Sequence, residues 1–218
     1  MSDGFPDVRA AIAGVDGWLS DDQAERLWQR ARALAPAATI VEIGSFRGRS
    51  TIVLALGAPA GATVVAIDPH AGSDRGPQEI AADGVRGESD HDAFLANLRA
   101  AGVADTVRHV RLPSRVALDD AGSRIDLLYV DGAHRYGPAA ADIAGYGARV
   151  APGGTMLIHD AFSSIGVTLA LLTRLVPGAA FAYRGRSRSL AEYRRAVPPM
   201  RGAARRRNVA VQLAQLPW

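Results

Sequence analysis

Four apolar runs of five or six residues, each ending against a glycine or an acid, alternate along this chain with segments of helical spacing. They cover residues 39–43 before Gly44, 63–67 before Asp68, 125–130 before Asp131, and 155–159 before Asp160. Continuous apolar runs of that length suit strands buried on both faces, and strands that alternate with helices argue for a parallel, doubly wound α/β sheet. Three further strands are predicted at 107–112, 181–184 and 189–193, giving a Rossmann-like, seven-stranded, mostly parallel sheet. Between them, Ser20-Asp21-Asp22-Gln23 opens a helix as a capping box, with Leu27, Trp28, Ala31 and Leu34 at helical spacing behind it. That helix is expected to stop near Ala35-Pro36. Others are predicted at 49–56, 90–101, 138–148 and 165–175, with Pro152-Gly153-Gly154 turning into the fifth strand. Residues 71–90 are polar and glycine-rich, which reads as a long loop able to close over a ligand.

Composition removes several chemistries. The chain has 218 residues and no cysteine, so disulfide frameworks, zinc-thiolate sites and thiol nucleophiles are excluded. All 25 basic residues are arginine, which excludes Schiff-base lysines and a lysine general base. The net charge of +3 conceals an asymmetry. Residues 1–160 carry 15 Arg against 21 acids, or −6, whereas 161–218 carry 10 Arg against Glu192 alone, or +9. A basic final quarter suits an acidic neighbouring subunit, a phosphorylated substrate or nucleic acid. Few aromatics accompany these arginines, so nucleic acid is the least favoured. The uncharged stretch 50–67 is broken by Gly57, Pro59 and Gly61 and reads as helix, turn and strand. A membrane span is therefore not expected. The start of the chain lacks the pattern of a signal peptide, and a soluble, cytoplasmic protein is expected.

In a doubly wound sheet, ligands bind beyond the carboxyl ends of the strands. The first strand ends Glu42-Ile43-Gly44-Ser45-Phe46-Arg47-Gly48-Arg49-Ser50, where two glycines allow a tight turn into a helix N-terminus. Asp68 ends the second strand 24 residues after Gly44, placed to accept hydrogen bonds from a ribose. Together they point to a nucleoside. The loop lacks the G-x-G-x-x-G spacing of a dinucleotide site, which argues against an NAD-dependent oxidoreductase. Glu42 would repel phosphate and suit a cation, which points to S-adenosylmethionine.

The run 41–50, then Asp68, the segment 125–134 ending Asp131-Gly132-Ala133-His134, Pro152-Gly153-Gly154 and His159-Asp160 resemble, as an ordered set, a class I S-adenosylmethionine-dependent methyltransferase. More narrowly they are similar to the actinobacterial metal-dependent sugar O-methyltransferases, with catechol O-methyltransferase a distant relative; Gly17-Trp18-Leu19-Ser20 fits the same group. The resemblance implies a methyltransferase domain over residues 1–195, with 1–36 as N-terminal helices and 71–90 as the lid. Residues 196–218 would be a basic arm or helix of the same domain, serving dimerisation or covering the site.

By the same resemblance, Glu42 would help hold the methionine ammonium with the backbone at Gly44, Ser45 and Phe46 and the turn at Gly48, and the Ser50 hydroxyl nearby. Asp68 would bind the ribose. Ser114 matches the adenine contact of the group, against the plain alternative of a loop serine. Asp131 and Asp160 would share a magnesium ion, although Asp131 alone could face the cofactor and Asp160 could cap a helix. Catechol-type relatives carry a third ligand directly after the second acid, where this chain has Ala161, and a lysine base, which this chain lacks. His134, three residues after Asp131, is the candidate base, with Asp131 as its rival. His70 and His159 are the candidates for substrate contact.

The expected reaction is methyl transfer to a hydroxyl of a sugar or glycoside, with magnesium and S-adenosylmethionine, by a homodimeric enzyme acting on a small-molecule or oligosaccharide acceptor. A phenolic or catechol acceptor is the alternative; between Asp68 and Arg111 only Phe94 is aromatic, which disfavours a stacked planar ring. An arginine-rich nucleic-acid-binding module, led by the clusters at 184–188 and 205–207, is the alternative of another class.

Overall fold

A computed structural model describes residues 4–73 and 81–216. Seven strands form one sheet: β1 (Thr39–Ile43), β2 (Thr63–Ile67), β3 (Val107–Val110), β4 (Ile125–Val130), β5 (Val150–Ile158), β6 (Phe181–Ser187) and β7 (Leu190–Arg195). Their order is β3-β2-β1-β4-β5-β7-β6. All neighbours are parallel except β7, which runs antiparallel to both β5 and β6. The chain winds outward from β1 to β3 and then restarts at β4 on the other side of β1. That reversal opens a crevice between the ends of β1 and β4.

Side chains alternate across each strand, and the sheet sorts them into two cores. Val41, Ile43, Leu128, Val130, Met156 and Ile158 pack beneath α5 (Tyr136–Arg149) and α6 (Ile165–Arg174). Ile40, Val64, Leu127, Tyr129 and Leu157 pack beneath α1 (Phe5–Ile12), α2 (Asp21–Arg32), α3 (Arg49–Gly57) and α4 (Gly84–Ala100). Glu42 faces this second core between Val41 and Ile43, which fixes its later behaviour.

Most element bounds shift by a few residues from the sequence reading, and three differences are larger. Helix α4 starts at Gly84, with Asp83 accepting from the Arg86 amide at 3.1 Å, so the last seven residues of the expected 71–90 loop are helix. Glycines favour a loop on propensity alone, but Gly87 is a packing residue: a Cβ there would sit 2.1 Å from the His70 carbonyl oxygen. The part of the expected lid at 74–80 lies outside the described residues. Strand β5 begins at Val150 rather than Thr155, and Pro152-Gly153-Gly154 is absorbed as an irregularity opposite Ile125 and Leu127. The C-terminal segment forms α7 (Gly202–Leu213) and does not cover the site. It lies on edge strand β6 instead, where the buried Asn208 carboxamide accepts from the Tyr183 amide at 2.8 Å and donates to the Phe181 carbonyl at 3.3 Å.

Among the described residues, no helix is long and apolar enough to cross a membrane. The segment before α2 is clamped to α3 by Arg49, whose guanidinium donates to the carbonyls of Ile12, Val15 and Leu19 at 2.8–3.1 Å. This holds Trp18 over the crevice.

Candidate active site

The crevice is a cavity of about 930 Å³, large enough for a cofactor together with an acceptor. Of the expected cofactor residues, Gly44, Ser45, Phe46, Ser50, Asp68, Ser114 and Asp131 line it. Gly44 lets β1 and β4 converge: at φ 86°, a Cβ would meet the Asp131 carbonyl oxygen at 2.1 Å. Gly48, at φ 88°, is the N-cap of α3 and sits behind the loop. Asp68 organises that loop. One of its oxygens accepts from the amides of Ser45 and Phe46 at 2.9 and 2.8 Å, the other from His70 at 2.7 Å.

Glu42 does not line the cavity. It is fully buried, and its two oxygens accept the hydroxyls of Ser50 and Thr51, each at 2.5 Å. Burial pushes its pKa up to about 8, so it is largely neutral at pH 7. The expected direct contact of Glu42 with a ligand in the cavity is therefore not seen, and Glu42 instead fixes the hydroxyl of Ser50, which lines the cavity.

The histidines divide into two groups. His70 touches the cavity wall, but its ring turns beneath the cofactor loop and Nε2 donates to the Phe46 carbonyl at 2.7 Å. It packs with His91, Phe94 and His109 at centroid distances of 5.0–5.3 Å. Burial pushes the His109 pKa down to about 4. His70 thus braces the Gly44–Phe46 turn from beneath, and nothing in the local sequence around His91 or His109 signals the cluster.

His134 and His159 converge on the strand-end acids. His134 Nε2 lies 3.0 Å from an Asp160 oxygen, and this contact raises its pKa. His159 Nδ1 lies 3.2 Å from Asp131 and 3.3 Å from Asp160. Burial opposes charge on that ring, but the two carboxylates outweigh it and push its pKa up to about 10. Burial likewise opposes charge on Asp160, and the two histidines overcome it to hold its carboxyl well below the usual range. The Tyr129 hydroxyl donates to Asp131 at 2.7 Å.

Asp131, His134 and Asp160 offer ligand atoms within 4.8 Å of one another, so one divalent cation could bridge them. Two carboxylate oxygens suit a hard ion, and an imidazole is tolerated by the softer first-row ions. The two carboxylates thus fit a divalent cation, and Ala161 offers no third side-chain ligand beside them.

Two further residues were not anticipated for the site. Gln23, read only as a capping residue, does cap α2 by accepting from the Ser20 amide at 3.0 Å. The same carboxamide also reaches His159 Nε2 at 3.3 Å and donates to Ser189 at 3.1 Å. Asp142, buried on α5, lines the cavity beside Ser114. No local pattern distinguishes it from an ordinary helix acid. Among the C-terminal arginines, Arg188 reaches the cavity rim, whereas Arg184, Arg186 and Arg205 to Arg207 do not line it.

Known structures share this architecture. The O-methyltransferase NovP superposes with a TM-score of 0.64 at 18% identity over 83% of each chain. An O-methyltransferase from Bacillus cereus, solved in complex with SAH, gives 0.57 at 17% identity, covering 88% of this chain and 89% of that one. TomG from Streptomyces achromogenes, an O-methyltransferase involved in tomaymycin synthesis and solved with SAM, gives 0.53 at 19% identity, covering 89% and 88%. A family model described as a methyltransferase domain matches residues 41–161, from the first strand to just past the acid that follows β5, which is more than half of the chain. With this strand order and this crevice, the chain belongs to that methyltransferase-domain family and has the class I methyltransferase fold.

Proposed function

We propose that the chain is an S-adenosylmethionine-dependent O-methyltransferase that methylates a hydroxyl of a sugar or glycoside with help from a divalent cation, magnesium first. The observation that carries this reading is the convergence of Asp131, His134, His159 and Asp160 at the switch point of the sheet, beside the Gly44–Phe46 loop and Asp68. Structurally similar proteins solved with SAM or SAH support the choice of cofactor.

The reaction is an in-line displacement. The acceptor oxygen forms a bond to the methyl carbon as the carbon–sulfur bond breaks, and the hydroxyl proton leaves to a base. His134 is the base in this reading, with Asp160 orienting the ring and raising its basicity. Asp131 and Asp160 would hold the cation, which when bound supplies acidification of the attacking hydroxyl. Asp68 would take the ribose and Ser50 the amino-acid end of the cofactor. Positioning accounts for much of the rate in such a transfer.

A sugar acceptor is supported by the polar rim of Ser20, Gln23, Arg188 and Ser189. Trp18, 55% exposed, offers one platform for a sugar C–H face. The same Trp18, its ring tilted against that of Phe46 at 5.1 Å between centroids, is the feature that favours the second reading, a phenolic acceptor.

The test is calorimetric titration of S-adenosylmethionine and of NAD, followed by turnover on sugar and catechol panels with magnesium or EDTA. Binding of S-adenosylmethionine without NAD, and sugar methylation abolished by EDTA, is expected. Binding of NAD instead overturns the cofactor. Turnover on catechols alone overturns the acceptor, and EDTA-resistant turnover overturns the cation.

A further inference from the structure

Tyr129 is the largest side chain wholly buried in the second core, and the methyl transfer makes no use of its hydroxyl. On β4 it stands in register between Glu42 of β1 and Leu157 of β5. The Glu42 oxygens are already engaged by Ser50 and Thr51, and the Tyr129 hydroxyl donates instead to Asp131 Oδ2 at 2.7 Å. Residues two apart on a strand share a face, so Asp131 leaves the end of β4 on the side of Tyr129. The Asp131 main chain is pinned as well. Its amide donates to the Ile43 carbonyl at 2.8 Å, and its own carbonyl lies over Gly44. What remains is the rotation of the carboxylate, and Tyr129 fixes that from beneath. With Oδ2 engaged, Oδ1 is turned toward the second acid: it lies 3.2 Å from His159 Nδ1, itself 3.3 Å from Asp160 Oδ2.

Packing alone does not call for the hydroxyl. Phenylalanine would fill the same space without taking a polar group out of water. Tyr193, just as buried, has a hydroxyl with no hydrogen-bond partner among the described residues. We propose that Tyr129 is a positioning residue, which holds the Asp131 carboxylate with Oδ1 toward Asp160 and so sets the affinity of the acid pair for a divalent cation. The proposal rests on the cation reading of that pair. Tyr129 does not line the crevice, so it acts through Asp131. A carboxylate that ligates a metal depends on the hydrogen bonds that orient it, and losing one such partner costs about 10–100-fold in metal affinity or activity.

Tyr129→Phe and Tyr193→Phe, each of which deletes one buried hydroxyl from the same sheet, test this. Mn2+, an ion suited to oxygen ligands and visible by electron paramagnetic resonance, is titrated into both variants and the wild type. S-adenosylhomocysteine affinity and urea denaturation are measured alongside. Tyr129→Phe is expected to weaken Mn2+ binding at least about tenfold, with S-adenosylhomocysteine affinity and urea midpoint close to those of Tyr193→Phe. Tyr193→Phe is expected to keep the wild-type Mn2+ affinity. Wild-type Mn2+ affinity in Tyr129→Phe overturns the proposal. Equal weakening in the two variants also overturns it, because the loss then comes from a loosened sheet. So does a Tyr129→Phe protein that fails to fold, which makes the hydroxyl a requirement of the core. A wild-type protein that binds no Mn2+ overturns the cation reading and this proposal with it, a result distinct from one confined to the variants.

Discussion

Glu42 shows how a single residue can keep its importance and change its role. On β1 it is an acid next to a ligand loop; in the fold it lies among Ile40, Ile52 and Leu127 with both oxygens taken by α3 hydroxyls. Its folded pKa of about 8 lies above the unfolded value of 4.5. The folded state therefore holds a proton that the unfolded state releases, and stability falls as pH rises through that interval. Denaturant titrations from pH 5 to pH 8 are expected to show Glu42→Gln gaining about 3 kcal/mol relative to wild type, at about 1.36 kcal/mol per pH unit. A pH-independent difference would place a charged carboxylate there instead. Gly44 is constrained by space. Gly44→Ala drives a methyl into the Asp131 carbonyl at a φ that alanine avoids. It is expected to cost about 3 kcal/mol or more and to abolish cofactor binding by calorimetry.

At the scale of elements, α2 and the β6–β7 hairpin are tied into the catalytic end through one side chain. Gln23 closes its own capping box and spans from Ser189 to His159. Gln23→Ala is expected to lose about 1 kcal/mol of stability in urea denaturation, the usual worth of a cap. It should also slow methyl transfer, because His159 loses its buried neighbour. Gln23→Glu restores the capping box and should recover the stability. Recovery of neither would mean that the cap is not the source of the loss. The helices at this end were legible from capping and periodicity. The start of α4 was not, because Gly84 and Gly87 carry a low helix propensity that tertiary packing overrides.

Across the whole molecule, the charge asymmetry and the active site are separate features. Arg205 to Arg207 lie on α7 over the β6 edge, away from the cavity, while Glu192 is held by Arg26 and Arg30 at 2.9 and 2.8 Å. Asn208 fastens α7 to that edge. Asn208→Ala removes both bonds to β6 and is expected to cost about 1–3 kcal/mol in denaturant while leaving S-adenosylhomocysteine affinity unchanged. A loss of affinity would connect α7 to the site after all.

By itself the sequence determined the α/β winding, the positions of the strand-end acids and the cofactor loop. Those follow from local signals: apolar runs, glycines at turns, and acids that stop strands. It also placed Asp131, His134 and Asp160 near one another, since β4 and β5 are neighbours in such a sheet. Only the tertiary structure decided which groups are charged and which are shared. Glu42 is neutralised by burial that no local pattern records. Gln23 meets His159 across 136 residues of chain, and Asp142, the sole acid of α5, meets Ser114 in the segment after β3. Burial and long-range adjacency belong to the packed molecule, and they set the electrostatics on which the chemistry of this site depends.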